Sequence, residues 1–300
     1  MNNPLFRGAG VALVTPFEDG GGLNEAVLRE LVEFQVGEGV DALVVCGSTG
    51  EAATMSPAEQ ARVVEVAADA LGGRIPLVAG VGGTDTAAVA RLARAAEDAG
   101  ADALLASPPP YNKPTQRGML AHFRAVLEAG DLPMIVYNVP GRTACNVLPE
   151  TIEELASDSR VIGVKEASGD VSQIAELARR LADRIAIYSG NDDQVLPILA
   201  FGGVGVISVL ANLVPSDVSR MAYAFLEGDL NEARAIQFRY LQVVQTLFQE
   251  PNPVPVKAGV RALGFDAGEV RLPLTPLTDE TMRILHERMR AAGIAMPAGV

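Results

Sequence analysis

A chain of 300 residues that is 49% hydrophobic can bury a large core, and its length suits either two domains or one α/β barrel. A formal net charge of -13 argues against nucleic acid or an anionic membrane as partner, and two cysteines, Cys46 and Cys145, write no disulfide framework. The opening "MNNPLFRGAG" has no apolar signal-peptide core and no apolar run reaches membrane-span length, so a cytoplasmic globular protein is expected.

In chain order, the strand candidates are 10–15, 42–47, 76–81, 102–107, 133–138, 161–166, 185–190 and 203–209. They are too apolar for half-exposed antiparallel strands and suit parallel strands buried on both faces. Segments with helical spacing separate them. In "SPAEQARVVEVAADALG", Ser56 reads as N-cap, Pro57 as first helical residue, Glu59 as capping-box partner and Gly72 as the stop. After the eighth strand only helices follow, at 215–228, 229–249, 253–264 and 277–292. Repeated βα units predict a (β/α)8 TIM barrel over 1–214 that carries the site, with a C-terminal helical region over 215–300.

Barrel sites form at the C-terminal ends of strands. Those ends carry "GSTGE" (47–51), "SPPPYNKPTQ" (107–116), "YNVPGRT" (137–143), "KEASGD" (165–170), "SGND" (189–192) and "ISVLAN" (207–212). Lys165 closes an apolar strand. A lone lysine there ordinarily snorkels to solvent or pairs with a neighbour, here Glu166. In an apolar barrel mouth it instead loses its proton and becomes a nucleophile for a carbonyl carbon. Only three of the 24 basic residues are lysines, Lys113, Lys165 and Lys257, and arginine cannot supply a deprotonatable amine. Tyr137, one strand earlier, offers a phenol for proton transfer. Ser48 and Thr49 sit in a small-residue loop that either caps a helix or holds a carboxylate. Arg142 suits a carboxylate bidentately, although a loop arginine alone more often pairs with a protein acid. "NDD" (191–193) reads as a helix start, and Cys46 as core. The two histidines, His122 and His286, fall on predicted helices and support neither a catalytic triad nor a metal site. Imine chemistry at a carbonyl, with no metal and no separate cofactor, is the reading left.

From "GVALVTPF" to "RLPLTP", through "GSTGE", "YNKPTQ", "YNVPGRT", "GVKEASGD" and "GVGVISV", the chain resembles the dihydrodipicolinate synthase / N-acetylneuraminate lyase family of class I aldolases. The resemblance implies a pyruvate Schiff base on Lys165 with Tyr137 as proton-transfer partner. It implies that Thr49, with Ser48, holds the pyruvate carboxylate, and that Ile207 and Gly190 contribute to substrate binding. Tyr111 would complete a tyrosine–hydroxyl–tyrosine relay across a subunit interface, which implies at least a dimer; the common form of the family is a homotetramer built as a dimer of dimers. Arg142 matches the synthase residue for the carboxylate of aspartate semialdehyde, the second substrate beside pyruvate. Two departures stand out. Ser48 replaces the usual first threonine of the loop, a form shared with sialic-acid lyases. The positions matching the lysine-inhibition site are Pro57, Gln60, Thr84, Ala88 and Pro110, so weak or absent inhibition by lysine is expected. The alternatives are a sibling lyase that cleaves N-acetylneuraminate or a 2-keto-3-deoxy sugar acid, and a silent barrel that binds keto acids without forming an imine.

Overall fold

The computed structural model describes residues 4–297. Eight parallel strands close into one barrel in sequence order: β1 (Gly8–Ala12), β2 (Ala42–Val45), β3 (Leu77–Val81), β4 (Ala103–Ala106), β5 (Met134–Asn138), β6 (Val161–Glu166), β7 (Ala186–Ser189) and β8 (Gly205–Ser208), with β8 hydrogen-bonded back to β1. Closure leaves no sheet edge, which is why nearly every strand residue can be buried and apolar. The helices are α1 (Glu25–Gly37), α2 (Pro57–Leu71), α3 (Thr86–Asp98), α4 (Gln116–Leu127), a single turn α5 (Pro140–Thr143), α6 (Pro149–Leu155), α7 (Val171–Leu181), α8 (Val195–Ala200), α9 (Pro215–Leu226), α10 (Leu230–Leu247), α11 (Val254–Ala262) and α12 (Asp279–Ala291). This is the (β/α)8 TIM barrel with C-terminal helices that the strand pattern predicts.

Local chemistry sets the helix ends as expected. The Ser56 hydroxyl accepts from the Glu59 N–H while the Glu59 carboxylate accepts from the Ser56 N–H, and Gly72 ends α2 in the left-handed region at φ 55. Asp85 and Asp170 cap α3 and α7. The first strand begins and ends earlier than its apolar run suggests. The Val14 N–H is taken by the Asn212 side chain (3.0 Å), so the ladder cannot continue to residue 15.

The two faces of the strands feed two apolar layers. Val11, Leu43, Leu104, Val136, Val164, Ile187 and Val206 pack outward against the helices. Ala12, Val44, Leu105, Ile135, Tyr137, Tyr188 and Ile207 fill the interior. At the base of that interior the Tyr188 hydroxyl donates to the Phe6 carbonyl (2.9 Å), and the two rings stack 4.4 Å apart. Outside, Ser219 and Tyr223 of α9 donate to Asp41, which in turn accepts from the Ala9 N–H, tying that helix to the start of β1.

Candidate active site

Register decides which way Lys165 points. Its Cα is paired with Tyr137 on β5 and with Tyr188 on β7, both of them interior residues. Period-2 alternation therefore turns the lysine into the barrel and Glu166 out of it. Glu166 does not pair with Lys165. Its carboxylate accepts from the Ser168 N–H (2.6 Å) and the Asn138 amide (3.1 Å), and burial raises its pKa. Lys165 is 4% exposed, makes no ion pair with any described residue, and lies 4.5 Å from the centroid of the Tyr137 ring.

Burial lowers the Lys165 pKa to about 7; the Asp192 carboxylate opposes the shift and the Arg142 guanidinium adds to it. Burial thus favours the uncharged amine near neutral pH, the state a nucleophile requires. Burial acts oppositely on Tyr137, raising its pKa despite Arg142, so the phenol keeps its proton and can donate it. Room for the lysine comes from Gly190. A Cβ there would stand 2.7 Å from the Ala167 methyl and 3.2 Å from Lys165 Cε.

The loop after β2 supplies the hydroxyls. Thr49 is buried, and its Oγ1 accepts from the Asn252 amide at 2.9 Å; Ser48 is exposed at the mouth. The loop is bounded by two non-glycine residues in the left-handed region, Cys46 and Glu51, each at φ 54. Gly80 lies directly behind it, where a Cβ would come within 2.3 Å of the Cys46 carbonyl oxygen. Cys46 itself is core, and burial pushes its thiol up to about 12.

Arg142 sits on α5 and meets the same Asn252 that holds Thr49. No carboxylate among the described residues pairs with it; it donates to the Asn252 carbonyl at 3.2 Å. The Thr143 hydroxyl, which donates to the carbonyls of Val139 and Cys145, and Asn138, which accepts from the Val147 N–H, fix the fold of its loop. One cavity thus gathers Lys165, Tyr137, Ser48, Thr49, Arg142 and Gly190. A buried amine of lowered pKa, a protonated phenol beside it, and hydroxyls and a guanidinium without a carboxylate partner, bridged by Asn252, suit an acid that carries a carbonyl group.

Two of the residues singled out from sequence lie elsewhere. Ile207 belongs to the interior cluster that continues beneath the cavity, whose wall at this point is Val209. Tyr111, at φ 68 and 88% exposed, stands on the loop after β4 outside the cavity. Conversely, Phe248 and Asn252, from the link between α10 and α11, line the cavity without having been anticipated. The Asn-Pro turn signal in "EPNPVP" marks their segment as a loop but gives no direction for it. Asp192 does open a short turn (Asp192–Gln194) as read, but its carboxylate is buried and accepts from Ser208 and from the N–H groups of Val209 and Leu210. That fastens the ends of β7 and β8 together.

Comparison with known proteins places the whole chain. The profile of the Dihydrodipicolinate synthetase family matches residues 5–292. A 4-hydroxy-tetrahydrodipicolinate synthase of a Thermoanaerobacter species is 46% identical over 296 residues, covering 98% of this chain and 99% of the relative. The enzyme of the same name from Caldicellulosiruptor bescii is 46% identical over 292 residues, covering 97% and 99%. Among solved structures, dihydrodipicolinate synthase from Aquifex aeolicus superposes with a TM-score of 0.94 at 39% identity, covering 97% of this chain and 99% of that one. The chloride-inhibited Acinetobacter baumannii enzyme complexed with pyruvate gives 0.94 at 37% identity, with coverages of 96% and 99%.

Proposed function

The chain belongs to the dihydrodipicolinate synthetase family, and on that premise we propose that it condenses pyruvate with aspartate semialdehyde to 4-hydroxy-tetrahydrodipicolinate, on the route to diaminopimelate and lysine. The observation that carries this reading is Lys165: an amine 4% exposed, without an ion-pair partner among the described residues, in register with Tyr137 at the barrel mouth.

The neutral Lys165 Nζ attacks the pyruvate ketone carbon, and the former carbonyl oxygen takes up a proton. Tyr137 donates the proton with which that oxygen leaves as water, giving an imine. The Tyr137 phenolate left by that step takes a proton from the methyl group, giving the enamine as the protonated imine nitrogen accepts the electron pair. Thr49 and Ser48 hold the pyruvate carboxylate and pass protons towards Tyr111, which a second subunit brings to the site. The enamine carbon attacks the aldehyde carbon of aspartate semialdehyde, whose carboxylate Arg142 orients bidentately. The amino group of that substrate closes the ring on the imine carbon and expels Lys165 as the free amine. A homotetramer in the cytoplasm belongs to the same proposal. The exposure of Tyr111 supports the assembly, because the phenol is isolated from its own cavity. Weak inhibition by lysine belongs to the same proposal: Gln60, at one of the positions in question, already donates to the carbonyls of Ala52 and Met55.

Borohydride reduction in the presence of pyruvate, followed by peptide mass spectrometry, is the direct test. A reduced pyruvyl adduct on Lys165 is expected, and no adduct there would refute the assignment. Untreated enzyme from the same preparation should turn over pyruvate with aspartate semialdehyde and release no pyruvate from N-acetylneuraminate.

A further inference from the structure

Ser48 and Thr49 lie on a loop that the barrel does not hold by itself. The backbone at its far end, Glu51, is left-handed at φ 54, a conformation that costs a non-glycine residue roughly 1–3 kcal/mol and persists only where neighbours over-determine it. Those neighbours come from more than 200 residues away. Glu51 Oε1 is 2.8 Å from the ammonium of Lys257 on α11, and Oε2 accepts from the Arg271 N–H at 3.0 Å. Both charged side chains are shut off from solvent, with 2% and 1% exposed. Lys257 donates a second time, to the Glu269 carbonyl (3.0 Å), and its ammonium sits 4.1 Å from the centre of the Phe17 ring. The Arg271 guanidinium covers the same ring at 4.0 Å and donates to the Thr54 carbonyl just beyond the loop. Two residues before α11 begins, Asn252 donates to Thr49 itself. One C-terminal segment therefore grips the hydroxyl loop at both of its working points.

Stability alone does not account for a charged pair here. Replacing a buried ion pair with apolar or neutral groups of similar size is commonly neutral or stabilising, because both ions must be stripped of water. A charged pair does, however, fix the separation of two backbone segments more sharply than apolar contact can. We propose that Lys257 and Glu51 are positioning residues: through them α11 sets the placement of Ser48 and Thr49 and thereby the affinity of the site for the carboxylate of its keto-acid substrate. The inference rests on the functional reading above, in which Thr49 and Ser48 hold that carboxylate.

The deciding protein is the full-length double variant Glu51→Gln/Lys257→Met, which removes both charges while keeping side-chain volume nearly constant. Its melting temperature should stay near that of the unaltered protein, while KM for pyruvate rises about tenfold, as expected when a binding group is displaced by a fraction of an ångström. Active sites are counted by borohydride trapping at saturating pyruvate, so a mere loss of folded protein lowers the count and leaves KM where it was. KM for aspartate semialdehyde should rise by less than that for pyruvate, because Arg142 meets the displaced segment only through the Asn252 carbonyl. A pyruvate KM within about twofold of the unaltered protein's overturns the proposal. The single variant Glu51→Gln keeps an acceptor for the Arg271 N–H and gives the same reading should the double variant fail to fold. Its pyruvate KM should rise about threefold, and an unchanged value overturns the proposal equally. Arg261→Ala, on the same helix as Lys257, breaks an exposed pair with Glu269 from the segment that follows it and should leave KM alone. A rise matching that of the double variant would show that the effect does not run through Glu51. Failure of the unaltered protein to trap pyruvate would refute the functional reading itself, whereas trapping with unchanged variant KM values refutes only the positioning role.

Discussion

Two buried lysines divide the work of this molecule. Lys165, at the end of β6, has no ion-pair partner among the described residues and is held near neutrality by its surroundings. Lys257, on α11, is just as buried but sits against Glu51 and the Glu269 carbonyl. Burial still lowers its pKa, and the Glu51 charge opposes that shift. The same side chain is thus left without a carboxylate in one place, where we propose it to be the nucleophile, and is tied to one within hydrogen-bond reach in the other.

The strongest way to break this comparison is to replace each lysine with methionine. Lys165→Met should abolish turnover, by more than about 10⁴-fold, since no other amine that could form an imine lines the cavity among the described residues. It should also raise stability by about 2 kcal/mol, because an unpaired buried amine is traded for an apolar chain. Lys257→Met should do the reverse to stability. It strands the buried Glu51 carboxylate, and a loss of about 3–5 kcal/mol is expected in urea denaturation. Equal stability changes of the same sign in the two variants would erase the distinction. Tyr137→Phe is milder: the ring that packs against Lys165 survives and only the proton donor is lost. The turnover rate should fall about 10²-fold while borohydride still traps pyruvate on Lys165.

The pH dependence sharpens the contrast further. Lys165 titrates near 7 in the folded chain against about 10.4 when unfolded, so between these values the unfolded state binds more protons. Its destabilising effect is therefore complete below pH 7 and fades as pH rises towards 10. The stability advantage of Lys165→Met over the unaltered protein should shrink across that window. The rate of imine formation should climb through a midpoint near 7, and a midpoint near the ordinary lysine value would contradict the buried, unpaired amine. The smallest effect on turnover is expected of Gly190→Ala, whose methyl group crowds Lys165 Cε and should slow turnover a few-fold, while its overlap with the Ala167 methyl lowers stability by about 1–3 kcal/mol.

Much of this was legible in the sequence, for a physical reason. Strands buried on both faces must be apolar, and polar residues at their ends are therefore conspicuous: Lys165, Tyr137, Ser48, Thr49 and Arg142 were all found that way. Glu166 could be separated from Lys165 only by knowing which face of β6 looks inward. Lys257 was visible as one of three lysines, but its partner Glu51 lies 206 positions away, and no local pattern encodes such a pairing. Asn252 and Phe248 escaped for the same reason. A connection between helices reads as solvent-exposed until the fold shows it closing over a barrel mouth. Asp192 carried a correct local signal, a turn start, which concealed its longer-range attachment to β8.

The left-handed residues at the two ends of the Ser48–Thr49 loop bear on the thermodynamics of binding. A loop bent at Cys46 and Glu51, backed by Gly80 and fastened by Asn252 and Lys257, has already lost its conformational freedom during folding. Little ordering entropy is then left to oppose the arrival of a small acid. A ligand of only a few heavy atoms has little contact area with which to offset such a cost. Rigidity obtained far from the reacting carbon is what allows so small a molecule to be held in one orientation.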